Sequence, residues 1–449
     1  MNRWTVHVKN FGKIEEASVE IAPLTLFVGD NNGGKSYMMT LIYGLLNVEF
    51  FYGEYQFDET SDAYQMCYEI IEKMITAEEN KIYTLQGEKL RPFKVLLNEV
   101  LMKNKEKFLL RLFNKEMDLE EIEVLFPEEM SMRFSVSTRD ESGMPNTMIV
   151  IREDFEDGTH IRGYGDERSE LQKGKSSYTF FISYIMECML REKVSAFGSR
   201  KCVYLPTART GFMLTYKTLV GNAMKEKFSL EKSKKNLLTK PTSDFLGELS
   251  SMQTVEEEKR FEKVIQFIED KLIAGHVNVS DAPTQDLLYT PEGAEQKLPL
   301  YVTSGVVTEM TPLLLFLKYV EIVTLLIEEP EISLHPQLQW QVARVLIRLS
   351  NMGLPVFVTT HSDLILQHVN NMIKANDMKD KEVFLKSSDY EEEDLLNREN
   401  IRVYQFDVQE NHKTKIQKLP CGDYGFEAMT FYETLRKMNN EIDSIENEE

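Results

Sequence analysis

The 449 residues carry 52 lysines and arginines against 73 aspartates and glutamates, a net charge of −21, with 42% hydrophobic and 28% charged residues. That make-up is of a soluble globular chain and excludes a disordered polymer or a surface basic all round. No apolar run approaches the roughly 20 residues a membrane-spanning helix needs, and at roughly 100–200 residues per domain the length implies two to four folded units or one large domain with insertions.

The chain opens with alternating stretches, Trp4 to Val8 and Ala17 to Ile21, which predict two strands joined near Asn10-Phe11-Gly12. It lacks the apolar core of a signal peptide, and its four cysteines (Cys67, Cys188, Cys202, Cys421) have no paired spacing, so they read as reduced thiols in a cytoplasmic protein. Leu24 to Val28 reads as a buried strand, followed by a glycine-rich turn and a buried helix from Tyr37 to Leu46. Between 49 and 130 the spacing predicts an inserted helical subdomain. Its main stretch, Phe93 to Phe113, sets apolar positions 93, 96, 97, 100 and 101 against several lysines; a helix lying on a lipid surface is the alternative. Strand character returns at Met132 to Ser137, Thr147 to Arg152 and Cys202 to Leu205.

A lysine-rich stretch follows, with Lys217, Lys225, Lys227, Lys232, Lys234, Lys235 and Lys240. It reads as a nucleic-acid contact or as a solvated helix face, and it leads into a helix from Val255 to Ile273. Residues 213–285 are therefore expected to form a helical arm, too short for a long coiled coil. From about 296, strand and helix alternate: Ile322 to Ile327 and Pro355 to Thr359 as buried strands, Pro336 to Ser350 as the helix between them. This rhythm predicts an α/β fold with a mainly parallel sheet. The acidic run Asp389 to Asp394 reads as a solvated loop, and the acidic end from Glu441 as frayed. The expected division is one lobe of 1–48 with 131–212, an insertion of 49–130, the arm of 213–285, and a second lobe of 286–449.

Three segments carry chemistry. Gly29-Asp30-Asn31-Asn32-Gly33-Gly34-Lys35-Ser36 is a full G-x-x-x-x-G-K-[ST] P-loop between a predicted strand and a predicted helix. Glycines let backbone N–H groups close around phosphates, Lys35 would reach the β- and γ-phosphates, and the Ser36 hydroxyl would ligate Mg²⁺. Thr324 to Glu329 is an apolar strand ending in two carboxylates, one to hold Mg²⁺ and one to align and deprotonate water. Pro355 to Ser362 is a buried strand that delivers His361 to the same sheet edge, within reach of a γ-phosphate.

The order of P-loop, Glu-Glu-Pro-Glu, Ser-Leu-His-Pro and Thr-Thr-His-Ser resembles the ABC-type ATPases, most of all the branch with RecF, SMC-like proteins and the OLD (overcoming lysogenization defect) ATPases. Val6 to Gly12 also resembles the start of that branch. The resemblance covers about 1–47 and 200–375. It implies an ABC-ATPase-type domain with a mixed sheet, Glu328 at the Walker B metal position, Glu329 at the catalytic glutamate, Ser333 to Pro336 at the D-loop and His361 at the switch histidine. Asn32 departs from the glycine common at its position, though asparagine tolerates left-handed backbone angles. Thr303 to Glu309 is the candidate signature segment, with Ser304 and Gly305 opening a helix whose N-terminus suits a γ-phosphate. Leu205-Pro206-Thr207-Ala208-Arg209 resembles a Pro-Ala-x-Arg segment of standalone relatives; Arg209 is expected to touch nucleotide or arm, or to be an ordinary surface arginine.

The resemblance further implies ATP and Mg²⁺ as cofactors and a homodimer or higher homo-oligomer with composite ATP sites. No strand-borne Asp-x-Asp pair follows His361, so any nuclease or effector is expected to be a separate polypeptide. The leading expectation is an ATP-driven switch that senses nucleic acid or a phage component and controls such an effector in antiphage defence. The alternative is a RecF-like ATPase acting directly on DNA.

Overall fold

A computed structural model describes residues 3–50, 55–75, 82–139, 145–154, 160–166, 175–191, 200–227, 238–252, 258–280 and 286–429, with a few positions near the C-terminus. In chain order its strands are β1 (Thr5–Phe11), β2 (Ile14–Glu20), β3 (Leu24–Gly29), β4 (Ile82–Gln86), β5 (Glu121–Leu125), β6 (Ser131–Arg139), β7 (Pro145–Asp154) and β8 (His160–Asp166). After these come β9 (Arg200–Leu205), β10 (Gly275–Val279), β11 (Leu287–Pro291), β12 (Leu298–Pro299), β13 (Glu321–Glu328), β14 (Val356–Thr359), β15 (Ile401–Val408) and β16 (Thr414–Lys418). Nine of them make one mixed sheet in the order β5-β1-β2-β16-β15-β3-β14-β13-β9, with β4-β6-β7-β8 and β10-β11-β12 as smaller sheets.

The sheet is parallel from β15 through β3, β14 and β13 to the edge strand β9, and beyond β15 the pairs β15-β16, β2-β1 and β1-β5 are antiparallel while β16 and β2 pair in parallel. A strand covered on both faces reads as a nearly continuous apolar run, and β3 and β14, each with a single threonine, are buried along their whole length. Alternate residues go to opposite sides. Phe27, Tyr204, Leu326, Phe357 and Tyr404 join one core with the helices Lys35–Leu46, Arg91–Lys103 and Lys175–Leu190. Leu26, Val28, Leu205, Leu325, Ile327 and Val358 join the other, with the helices Gly305–Tyr319, Pro336–Asn351 and Asp363–Asn376.

The helical stretch Phe93 to Phe113 consists of two helices, Arg91–Lys103 and Lys105–Phe113, separated at Asn104. The Asn104 side chain exchanges hydrogen bonds with the main chain of Gln56 and donates to Val100 O. Phe93, Leu96, Leu97, Val100 and Leu101 are buried in the first core, so this apolar face is covered by protein. From the segment read as an arm, Met213, Phe245, Leu246, Phe261 and Ile268 are buried in the second core. Lys232, Lys234 and Lys235 lie outside the described residues, as does the start of the helix expected from Val255.

The acidic run is solvated as read at Asp389, Glu391 and Glu392, which are exposed, and departs from that reading at Asp394. Asp394 is 0% exposed and accepts paired bonds from Arg344 (3.1 and 2.7 Å) and Arg348 (2.6 and 2.9 Å). Both guanidiniums also lie over the Phe267 ring, 4.7 and 4.3 Å from its centroid. A charge run signals solvent only when no cation faces it, and here two arginines do.

Candidate functional site at the carboxyl edge of the parallel strands

The P-loop leaves β3 at Gly29, whose φ is 120°; a Cβ there would come within 2.3 Å of Phe406 O on the adjacent β15. Only glycine permits that approach. Asp30 N–H donates to Phe406 O at 3.2 Å, and Val408 N–H to Asp30 Oδ2 at 3.4 Å. Asn32 adopts the left-handed conformation expected of it, with φ 60°. Gly34, at φ 92°, opens the helix Lys35–Leu46. Asp30, Asn31, Asn32 and Ser36 are exposed, Gly33 is buried, and Lys35 is 5% exposed. The Lys35 ammonium donates to the carbonyls of Gly29 (2.9 Å) and Asp30 (2.7 Å). Burial pushes its pKa down to about 8, against the opposing pull of Glu329, Asp30, Glu331 and Glu328.

Two strands away, β13 ends in Glu328, which is 5% exposed. Its Oε2 accepts from Thr207 N–H at 3.2 Å, while Oε1 is buried without a hydrogen bond of normal geometry. The buried Tyr204 hydroxyl faces this carboxylate, its pKa raised first by burial and then by Glu328. Glu329 has left the strand, at φ 43°, with its N–H on Thr359 O at 2.8 Å. Its side chain is 31% exposed and accepts from the Thr207 hydroxyl at 3.3 Å.

Between β13 and β3 lies β14, which delivers His361. Its Nε2 is 3.6 Å from Glu329 Oε1. Burial first, and the Lys35 charge second, lower the imidazole pKa, against the opposing pull of Glu329 and Asp30. Strand pairing thus brings the ends carrying Lys35, Glu328, Glu329 and His361 to one edge, the carboxyl ends of the parallel strands, where open α/β sheets bind ligands.

Ser304 and Gly305 stand elsewhere on the chain's surface: exposed, at the N-terminus of Gly305–Tyr319. Their neighbours are Thr308, whose hydroxyl donates to Gly305 O at 3.0 Å, and Ser333, whose Cβ lies 3.3 Å from where a Gly305 Cβ would be. Ser333 itself has φ 62°.

Three residues here were not assigned these positions from sequence. Glu331, two places past Glu329, accepts from the Thr360 hydroxyl (2.9 Å) and His361 N–H (2.6 Å), with Oε2 buried and unpartnered. Its only sequence signal is the third glutamate of Glu-Glu-Pro-Glu. Arg209 is not a surface residue: it is fully buried and bonded to the carbonyls of Glu328 and Glu329. Phe406 had no signal, since nothing in β15 marks it as the neighbour of the P-loop strand.

A family model described as AAA ATPase domain matches residues 4–366. No curated protein matches the chain in sequence. Among solved structures the chain is similar to the SMC head domain from Thermotoga maritima, with TM-score 0.35 and 12% identity over 94% of this chain and 100% of that one. It is also similar to an SMC head bound to the C-terminal winged-helix domain of ScpA, with TM-score 0.38 and 11% identity over 93% and 98%. A third is the SMC head domain with an extended coiled coil bound to the C-terminal domain of ScpA, derived from Pyrococcus furiosus, with TM-score 0.35 and 12% identity over 98% and 99%.

Proposed function

The chain belongs to the AAA ATPase domain family and is an ATPase, and from that premise we propose how its residues divide the work and what the turnover serves. Lys35 exchanges its two carbonyl acceptors, Gly29 and Asp30, for β- and γ-phosphate oxygens of ATP. A divalent cation fits beside it, because Glu328 Oε1 is a buried carboxylate oxygen that accepts no hydrogen bond of normal geometry and Ser36 follows Lys35 in the first turn of the helix. Ser36 and Glu328 would hold Mg²⁺, directly or through water, and the ion when bound neutralises charge developing on the phosphates.

The observation that carries the assignment is the contrast between the paired glutamates. Glu328 is 5% exposed, whereas the Glu329 side chain is 31% exposed and faces His361 at 3.6 Å. Water reaches the second carboxylate and not the first, so Glu329 aligns and deprotonates the attacking water. His361 contacts the γ-phosphate and registers its loss. Ser304 and Gly305, at a helix N-terminus away from the P-loop in sequence, serve the γ-phosphate bound by a second copy.

The turnover then works as a switch. It senses nucleic acid or a phage component and controls a separate effector such as a nuclease or toxin. Support comes from the motif order shared with the RecF, SMC-like and OLD ATPases, and from the helix Arg209–Lys227, which begins at the glutamate pair and carries Lys217, Lys225 and Lys227. The test pairs Lys35→Ala with Glu329→Gln. Lys35→Ala loses nucleotide capture and turnover, whereas Glu329→Gln keeps capture and loses turnover. Normal turnover by folded Glu329→Gln would sink the role assignment. For the switch, cells carrying the chain and its adjacent reading frame resist phage and lose resistance with Glu329→Gln; resistance indifferent to that change removes the defence reading.

A further inference from the structure

At the end of β9 the chain turns through Pro206 to Thr210, and its bonds run in two directions. Arg209 is 0% exposed, the largest charged side chain among the fully buried described residues. Its Nη1 donates to the carbonyls of Glu328 (2.6 Å) and Pro206 (3.1 Å), and its Nη2 to the carbonyl of Glu329 (3.2 Å). The two glutamate carbonyls belong to the peptide planes on either side of the Glu329 Cα. Those planes set φ and ψ of a residue held at φ 43°, a conformation that costs a residue bearing a Cβ and persists only where its surroundings impose it. An arginine fork suits this task, because its donors are coplanar and fixed relative to one another.

In the other direction, Arg209 Nε lies 3.0 Å from Glu309 Oε2, and Glu309 is itself 1% exposed. Glu309 Oε1 accepts from Thr210 N–H at 2.9 Å. The Thr210 and Thr308 hydroxyls are 2.9 Å apart, and the Thr308 hydroxyl donates to Gly305 O. An unbroken run of polar contacts therefore joins the peptide planes of Glu329 to the first turn of the helix that Ser304 opens.

We propose that Arg209 and Glu309 form a positioning clamp: Arg209 sets the aim of the Glu329 carboxylate, and Glu309 ties that aim to the Ser304–Gly305 turn. This rests on the role given to Glu329 above. Contact at the exposed turn is thereby transmitted to the water-activating group of the same chain.

The experiment measures steady-state ATP turnover and equilibrium binding of a fluorescent ATP analogue for the full chain and for Arg209→Lys, Glu309→Gln, their double variant and Glu329→Gln, with the folded fraction of each fixed by thermal unfolding. Arg209→Lys keeps the charge but loses the fork, so kcat falls about 10- to 100-fold while KM and nucleotide affinity stay within about threefold. Glu309→Gln lowers kcat by a smaller factor. The double variant is no slower than Arg209→Lys alone, because both changes break one unit. Should Arg209→Lys fail to fold, Glu309→Gln carries the test by itself. If Glu329→Gln is dead while the folded clamp variants turn over at the wild-type rate, or lose binding in step with kcat, the clamp is overturned and the site reading stands. If Glu329→Gln turns over normally, the site reading fails first.

Discussion

His361 Nε2 stands 3.6 Å from Glu329 Oε1, though the two residues close different strands and Glu329 has already turned to a positive φ. The contact exists because β13 and β14 run parallel with Glu328 paired to Thr359, so each chain leaves the sheet at the same level. His361→Ala should therefore leave nucleotide binding intact and lower turnover about 10²-fold or more, the usual range for a lost acid–base or orienting group. Turnover within twofold of wild type would remove His361 from the reaction.

The two glutamates give a test of order. Glu328→Gln should raise the Mg²⁺ concentration needed for half-maximal turnover, because a neutral amide replaces the buried carboxylate oxygen. Glu329→Gln should leave that requirement unchanged and depress kcat. A Mg²⁺ titration that shifts only for Glu329→Gln would reverse the assignment.

Glu331 fixes the turn that carries His361. One carboxylate oxygen accepts both from Thr360 and from His361 N–H, and burial raises its pKa. Glu331→Ala removes both bonds, each worth roughly 1.5–3 kcal/mol when one partner is charged. It should lower the melting temperature and turnover together, whereas Glu331→Gln, whose amide oxygen still accepts, should keep most of both. Equal loss in the two variants would mean that the carboxylate charge matters instead.

The P-loop was legible because its chemistry is local: eight consecutive residues between a strand and a helix. Glu331, Arg209 and Phe406 were not, because register creates their roles. Arg209 meets Glu328 only since β9 pairs with β13, and Phe406 meets Gly29 only since β15 inserts beside β3. Apolar strands look alike in sequence, so nothing there says which becomes neighbour to which. Asp394 illustrates the same limit on charge patterns.

Asp394 also sets a pH dependence. Burial would raise its carboxyl, but the bonds from Arg348 and Arg344 outweigh that and hold its pKa down to about 2. The folded value lies below the unfolded one, so the unfolded state binds more protons in between. The contribution, about 2 kcal/mol, is complete above about pH 4 and lost as pH falls to about 2. Asp394→Asn strands two buried guanidiniums and should cost about 3–5 kcal/mol at pH 7. Urea unfolding should show that gap narrowing between pH 4 and pH 3. A gap constant across that range would exclude the charge as its source.

Two copies should sandwich two ATP molecules. Lys35, the glutamates and His361 approach the nucleotide from one sheet edge, while Ser304 and Gly305 sit exposed at a helix N-terminus whose contacts are to Thr308 and Ser333. A helix N-terminus with exposed N–H groups attracts an anion, and a γ-phosphate presented by a facing copy satisfies it. Just before that turn, Tyr301 and Val302 are 75% and 55% exposed, an apolar pair that gains by being covered. A ligand contacted by both copies favours the assembled state by mass action, so Mg-ATP should double the solution mass of Glu329→Gln, which cannot discharge it. Adding Ser304→Arg places a bulky side chain at the turn and should abolish both the mass increase and, in the wild-type background, turnover. Mass and turnover indifferent to ATP and to the arginine would defeat the sandwich. A dimer that forms without ATP yet loses turnover through Ser304→Arg would keep the shared site and discard the ATP-driven association.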